Sequence, residues 1–154
     1  MERARLAALL VAALAAGCAG GGGGGGGTAK PAACRPPKVP TVSFASNIQP
    51  IFTASCAVSS ACHAGAVPAQ GLDLSPGKAY GQTVRVRAQQ QNVPRIAPGK
   101  PNGSYVVSKI EGSAGIAGVV MPIGCPGQAQ QGQCLTPDQL TALRTWVSEC
   151  ALDN

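Results

Sequence analysis

Seven cysteines share this chain of 154 residues with only five large aromatic side chains: Phe44, Phe52, Tyr80, Tyr105 and Trp146. Bulky residues so scarce leave an ordinary core thin. Domains of this size bury a modest share of their surface and lean on cross-links, a metal or a cofactor. The cysteines are therefore the residues to follow. Glycine and proline number 21 and 13, so the regular elements must be short and the loops between them long.

The first 17 residues read as an address. Arg3 and Arg5 precede an unbroken apolar run from Leu6 to Ala16, well short of the roughly 18 residues that span a bilayer. A charged start, a short apolar run and small residues after it make a secretory signal peptide. The run ends Leu14-Ala15-Ala16-Gly17-Cys18, which resembles a bacterial lipobox. That resemblance implies that Cys18 is lipidated and becomes the new N-terminus. Gly20 to Gly27 are consecutive glycines, a composition that suits a flexible tether and no packed element. The expected organisation is a signal peptide over 1–17, a lipid anchor and Gly/Pro-rich tether over 18–42, and a folded domain over 43–154. The chain is then exported and anchored in the bacterial envelope, at the outer membrane, facing the periplasm or the cell surface. The net charge is +6, with the basic residues scattered, which excludes a nucleic-acid footprint. They read as a solvated surface, some of which could steer an acidic partner.

Within the domain the pattern predicts short helices only. Ser46 or Asn47 caps the first, Pro50 sits in its first turn, and Ile48, Ile51 and Phe52 form one apolar face running to Cys56. Ser75-Pro76 opens a second through Tyr80. A third covers Asn102 to Glu111 and stops at Gly112. The strongest signal is Thr136-Pro137-Asp138-Gln139, a capping box with proline at the first helical position. Leu140, Leu143, Trp146 and Val147 follow, and this helix should reach Cys150. No alternation is long enough for a sheet.

The chemistry-bearing residues are few. Residues 18–154 hold one histidine, His63, directly after Cys62, and one methionine, Met121, directly before Pro122. A thiol beside an imidazole can bond a haem vinyl group while the imidazole binds the iron; a thioether suits the iron's other face. One histidine excludes a blue-copper site, which needs two. A zinc site of three cysteines with His63 competes with oxidation. A Ser-His-Asp hydrolase would have to use His63 and shows no nucleophile elbow. Asp73, Asp138 and Asp153 read as cap or surface carboxylates.

Taken in order, Phe44, Ile48-Gln49-Pro50-Ile51-Phe52, Cys56…Cys62-His63, Gly71-Leu72-Asp73-Leu74-Ser75, Ala79-Tyr80, Pro98-Gly99, Ser104-Tyr105-Val106-Val107, Met121-Pro122 and Leu135-Thr136…Trp146-Val147 resemble a class I cytochrome c. The closer likeness is to the planctomycete-type cytochrome c domain of bacterial lipoproteins. The resemblance implies an all-α, cytochrome c-like fold with long loops, its first and last helices packed together around haem. It implies covalent haem c on Cys56 and Cys62, with His63 and Met121 as axial ligands. The family pattern has two residues between the attachment cysteines and this chain has five, which leaves open two thioethers, one or none.

If lipid takes Cys18 and haem takes Cys56 and Cys62, four cysteines remain, and an even number in an exported chain suggests two disulfides. Three pairings are possible. The favoured one is Cys125–Cys134, closing the loop after Met121, with Cys34–Cys150 pinning the end of the tether to the last helix. The expected function is a monomeric, lipid-anchored monohaem cytochrome that passes single electrons to a redox partner in the envelope, a carrier and not a catalyst. The alternative is a haem-free, disulfide-stapled envelope lipoprotein domain with a structural or partner-binding role.

The anchor is directly testable. Wild-type protein is expected in the membrane fraction, and Cys18→Ser should release it or block its processing. Wild-type protein recovered wholly in the soluble periplasm would remove the lipid from the account.

Overall fold

The computed structural model describes residues 33–127 and 129–154. The expected signal peptide and lipid anchor, with Cys18 and the glycine run, lie outside the described residues.

The most strongly signalled helix forms as a complete capping box. Thr136 Oγ1 accepts from Gln139 N at 3.2 Å, and Gln139 Oε1 accepts from Thr136 N at 2.9 Å, so two donors that a helix start leaves unpaired are both satisfied. The helix, α4 (Pro137–Ser148), buries Leu143, Trp146 and Val147. It stops two residues short of Cys150. There the backbone turns to positive φ, 77° at Cys150 and 48° at Ala151, which leaves the helix.

At the other end of the domain a π-type turn, Phe44–Ile48, runs into α1 (Gln49–Ser55), with Pro50 in its first turn. The cap is Ser43, earlier than expected. Its Oγ accepts from Ser46 N at 3.2 Å, while Asn47 Oδ1 accepts from Ser43 N at 2.9 Å. The wide first turn moves the start back by one turn and buries Phe44. Ile48, Ile51 and Phe52 are buried as the periodicity requires.

The two ends meet through aromatic rings. The Phe44 centroid lies 5.3 Å from Trp146 and 5.3 Å from Tyr80, and Phe52 completes the group. Both polar tips are satisfied by the last residues of the chain. Tyr80 Oη donates to Ala151 O at 3.0 Å, and Trp146 Nε1 donates to Leu152 O at 2.8 Å. Amphipathic rings can be buried at little cost when their tips are paired in this way.

Between these ends, residues 75–78 form a turn, and α2 spans only Ala79–Thr83. Gly77 takes φ +79°, so a helix cannot begin at Pro76. Asp73 sits under this turn, accepting from Ser75 N at 3.0 Å and Lys78 Nζ at 2.8 Å. Those bonds hold its carboxyl at about 2. A single 3-10 turn (Pro101–Gly103) precedes α3 (Tyr105–Glu111), which Gly112 ends in the left-handed conformation. Among the described residues the chain is helical, without strands. Extended pairing is limited to isolated bridges, Val84 with Ile96 and Arg87 with Pro94.

Residues 33–42 join the same unit. Cys34 is bonded to Cys150, and Glu149 accepts from both the backbone N and the hydroxyl of Thr41. Gly99 lies against that disulfide; a Cβ there would meet Cys34 Sγ at 2.7 Å. Together with φ +78°, this makes the position specific for glycine.

Because α4 joins the two ends, its removal should be costly. Trp146→Ala should lower unfolding free energy by about 3–5 kcal/mol, and Thr136→Ala by about 1 kcal/mol, read from urea midpoints at constant m. Equal losses for the two would mean that the ring cluster is not what joins first element to last.

Candidate functional site

A cavity of about 350 Å³ opens between α3 and the loops, walled by apolar side chains that include Leu72, Leu74, Val106 and Ile110. A smaller one of about 140 Å³ adjoins it. Cys56, His63, Ala69 and Met121 line both. The larger volume is in the range of small-molecule and cofactor pockets. The thin core foreseen from the composition therefore takes the form of a hollow, and four of the five large rings lie elsewhere. Only Tyr105 lines it.

His63 is held by backbone on three sides. Its N donates to Cys56 O at 3.1 Å, and its carbonyl accepts from Leu74 N at 2.8 Å. Nδ1 lies 3.2 Å from Ala69 O. A carbonyl only accepts, so Nδ1 carries the proton and Nε2 keeps its lone pair. This is the arrangement that fixes the tautomer and ring of a ligating histidine. Burial lowers the pKa of the ring below its ordinary value, against opposing hydrogen bonds to the backbone of Leu72 and Ala69. The ring is therefore a neutral base.

The cysteines divide cleanly. Cys34–Cys150 and Cys125–Cys134 are disulfides, with S–S distances of 1.98 and 1.93 Å. Cys56 and Cys62 are thiols. Cys56 closes the C-terminus of α1, its N donating to Phe52 O at 2.9 Å. Burial, with the neighbouring Cys62 adding to it, pushes its pKa up to about 12. It is a neutral thiol, not a thiolate ligand.

Met121 comes from the loop after α3. Its N donates to Lys109 O at 2.8 Å. Lys109 Nζ donates to the carbonyls of Ala117 and Val119, and Tyr105 Oη accepts from Ala117 N at 2.9 Å. The loop is thus sewn to α3 on both sides of the bend, and the ammonium of Lys109 is engaged there.

Arg95 departs from the expectation of a solvated basic surface. It is buried and lines the larger cavity. Its guanidinium donates only to carbonyls, Gln82 O at 2.9 Å and Gln70 O at 3.2 Å. The ion pairs among the described residues are Lys78–Asp73 and Arg144–Glu111, so no carboxylate compensates Arg95. A buried cation without a counter-ion is costly and suits an anionic group placed beside it. The sequence carried one signal for it: a lone cation amid Val93-Pro94 and Ile96-Ala97-Pro98.

Among the described residues no three His, Cys, Asp or Glu side chains cluster to hold a bare metal ion. One imidazole and one thioether are too few for a free cation. They suffice for an iron whose remaining positions are already filled by a planar macrocycle. Neutral donors, an apolar cavity, two thiols and a buried cation for carboxylates all fit haem.

The chain matches no known protein family, curated protein or solved structure to which it was compared.

Thiol accounting checks this geometry. In haem-free protein, denatured without reductant, alkylation should label Cys56 and Cys62. Cys34, Cys125, Cys134 and Cys150 should label only after reduction. A Cys56–Cys62 disulfide in the peptide map would contradict the assignment.

Proposed function

We propose that the chain is a lipid-anchored, monohaem c-type cytochrome that carries single electrons in the bacterial envelope. One observation carries the reading. The only imidazole and the only methionine of residues 18–154 line the same apolar cavities as Cys56, and Cys62, the other thiol spared by the disulfides, lines the smaller of them. The contact of the Phe44–Ile48 turn with α4 supports a cytochrome c-like arrangement, in which the first and last helical elements meet and the middle of the domain surrounds the haem.

Bound haem would supply one-electron exchange at raised potential, with His63 and Met121 as the residues that would hold its iron. The rest is the work of the chain. His63 presents Nε2 because Ala69 O holds the proton on Nδ1. Met121 is held in place by the Lys109 carbonyl. Cys56 is the thiol beside the imidazole in the larger cavity, and Cys62 is the other thiol outside the disulfides. Arg95, which lines the larger cavity, would pair with carboxylates of the group. Leu72, Leu74, Val106 and Ile110 would give the group an apolar wall. The partner is a second redox protein of the envelope.

The deciding experiment uses protein made in a host with haem-attachment machinery. Haem should stay with the polypeptide through acid–acetone extraction and give a c-type reduced pyridine spectrum. Colourless protein from such a host overturns the cytochrome reading in favour of a haem-free, disulfide-stapled domain. Met121→Ala should keep the haem attached, lose the weak Met-to-iron charge-transfer band and lower the midpoint potential. If neither band nor potential moves, Met121 is not a ligand.

A further inference from the structure

The two thiols are not equivalent, and the difference arises in the residues between them. Ala57 to Ala61 form a closed loop. Ala57 N donates to Phe52 O at 2.8 Å, Cys62 N to Ser59 O at 3.1 Å, and His63 N to Cys56 O at 3.1 Å. The last bond sets the backbone of His63 directly beside that of Cys56 and throws the intervening residues outward. Cys56, six positions before Cys62, thereby becomes the cysteine that flanks the imidazole within the large cavity.

Cys62 is turned elsewhere. It lines only the smaller cavity. Its Sγ donates to Gln131 Oε1 at 3.3 Å, and Ser59 Oγ donates to the same oxygen at 2.6 Å, 3.4 Å from the sulfur. Gln131 is itself fixed, because it lies in the loop closed by Cys125–Cys134. The neighbouring Gly132 packs so closely on α1 that a Cβ would meet Ala54 O and Val58 Cγ1 at 2.7 Å. The thiol of Cys62 is thus held by a polar clamp on a disulfide-locked loop.

Building on the haem reading above, we propose that haem is attached through one thioether, at Cys56, and that Cys62 stays a thiol held by Gln131 and Ser59. The step balances without an oxidant. The S–H of Cys56 adds across one vinyl C=C: the S–H bond and the π bond break, an S–C bond forms, and the hydrogen goes to the adjacent vinyl carbon. The second vinyl group remains unsaturated.

The test uses full-length protein from a host with attachment machinery, denatured without reductant, alkylated with iodoacetamide and mapped by mass spectrometry. One haem per chain is expected on the Cys56 peptide, with the label on Cys62. The reduced pyridine band should lie to longer wavelength than that of a doubly attached haem, because one vinyl group stays conjugated. Cys62→Ser should keep covalent haem at wild-type yield, whereas Cys56→Ser should lower it at least tenfold. The wild-type map decides even if a variant fails to fold. Haem present with Cys62 unlabelled, or haem found on Cys62, overturns single attachment at Cys56 and leaves the cytochrome reading standing. Label on both cysteines with no haem overturns both.

Discussion

The ring of Phe44 against that of Trp146, 5.3 Å between centroids, is the contact on which this domain depends. It joins the first helical turn to the last helix, and almost every bulky side chain of the chain is committed to it. Aromatic pairs contribute beyond the area they bury, so the expenditure is efficient. It also leaves the cavity beside His63 with one large ring, that of Tyr105. The cavity beside His63 is the direct consequence of where the rings went.

The two disulfides divide the remaining task. Cys34–Cys150 closes a span of 116 residues around the aromatic cluster, and in the chain-entropy account a loop of about 100 residues gives about 4.7 kcal/mol. Cys125–Cys134 acts locally, stiffening the loop that follows Met121 and placing Gln131 over Cys62. A domain with few bulky residues can therefore be held together at one side while the other stays hollow.

Much of this was legible in the sequence, for identifiable reasons. Thr136, Pro137 and Gln139 announce α4 because a capping box is local chemistry, and Gly112 announces the end of α3 for the same reason. The candidate site residues stood out by scarcity: one imidazole, one thioether and the cysteines around them. The parts that were not legible depend on tertiary approach. Ser43 replaces Ser46 and Asn47 as the cap because burying Phe44 requires a wide first turn. Gly77 delays α2 because its positive φ is imposed by the turn over Asp73. Arg95 is buried because Gln70 O and Gln82 O converge on it from separate loops, and no local pattern records that convergence.

What holds the site is main-chain hydrogen bonding. His63 is fixed by carbonyls of Cys56 and Ala69 and by the N–H of Leu74; Met121 is fixed through the Lys109 carbonyl; Arg95 is fixed by two more carbonyls. Few of these bonds depend on the identity of a side chain, so Ala, Gly and Gln can fill the loops without loosening the groups that matter. This explains how a chain so rich in glycine and proline can present a rigid set of donors. The ordering lies in the hydrogen-bonded main chain, and the ends of that main chain are closed by one aromatic cluster and one disulfide. In the proposed electron carrier this stiffness would be a gain, because a donor set that moved little between oxidation states would add little reorganisation to the transfer.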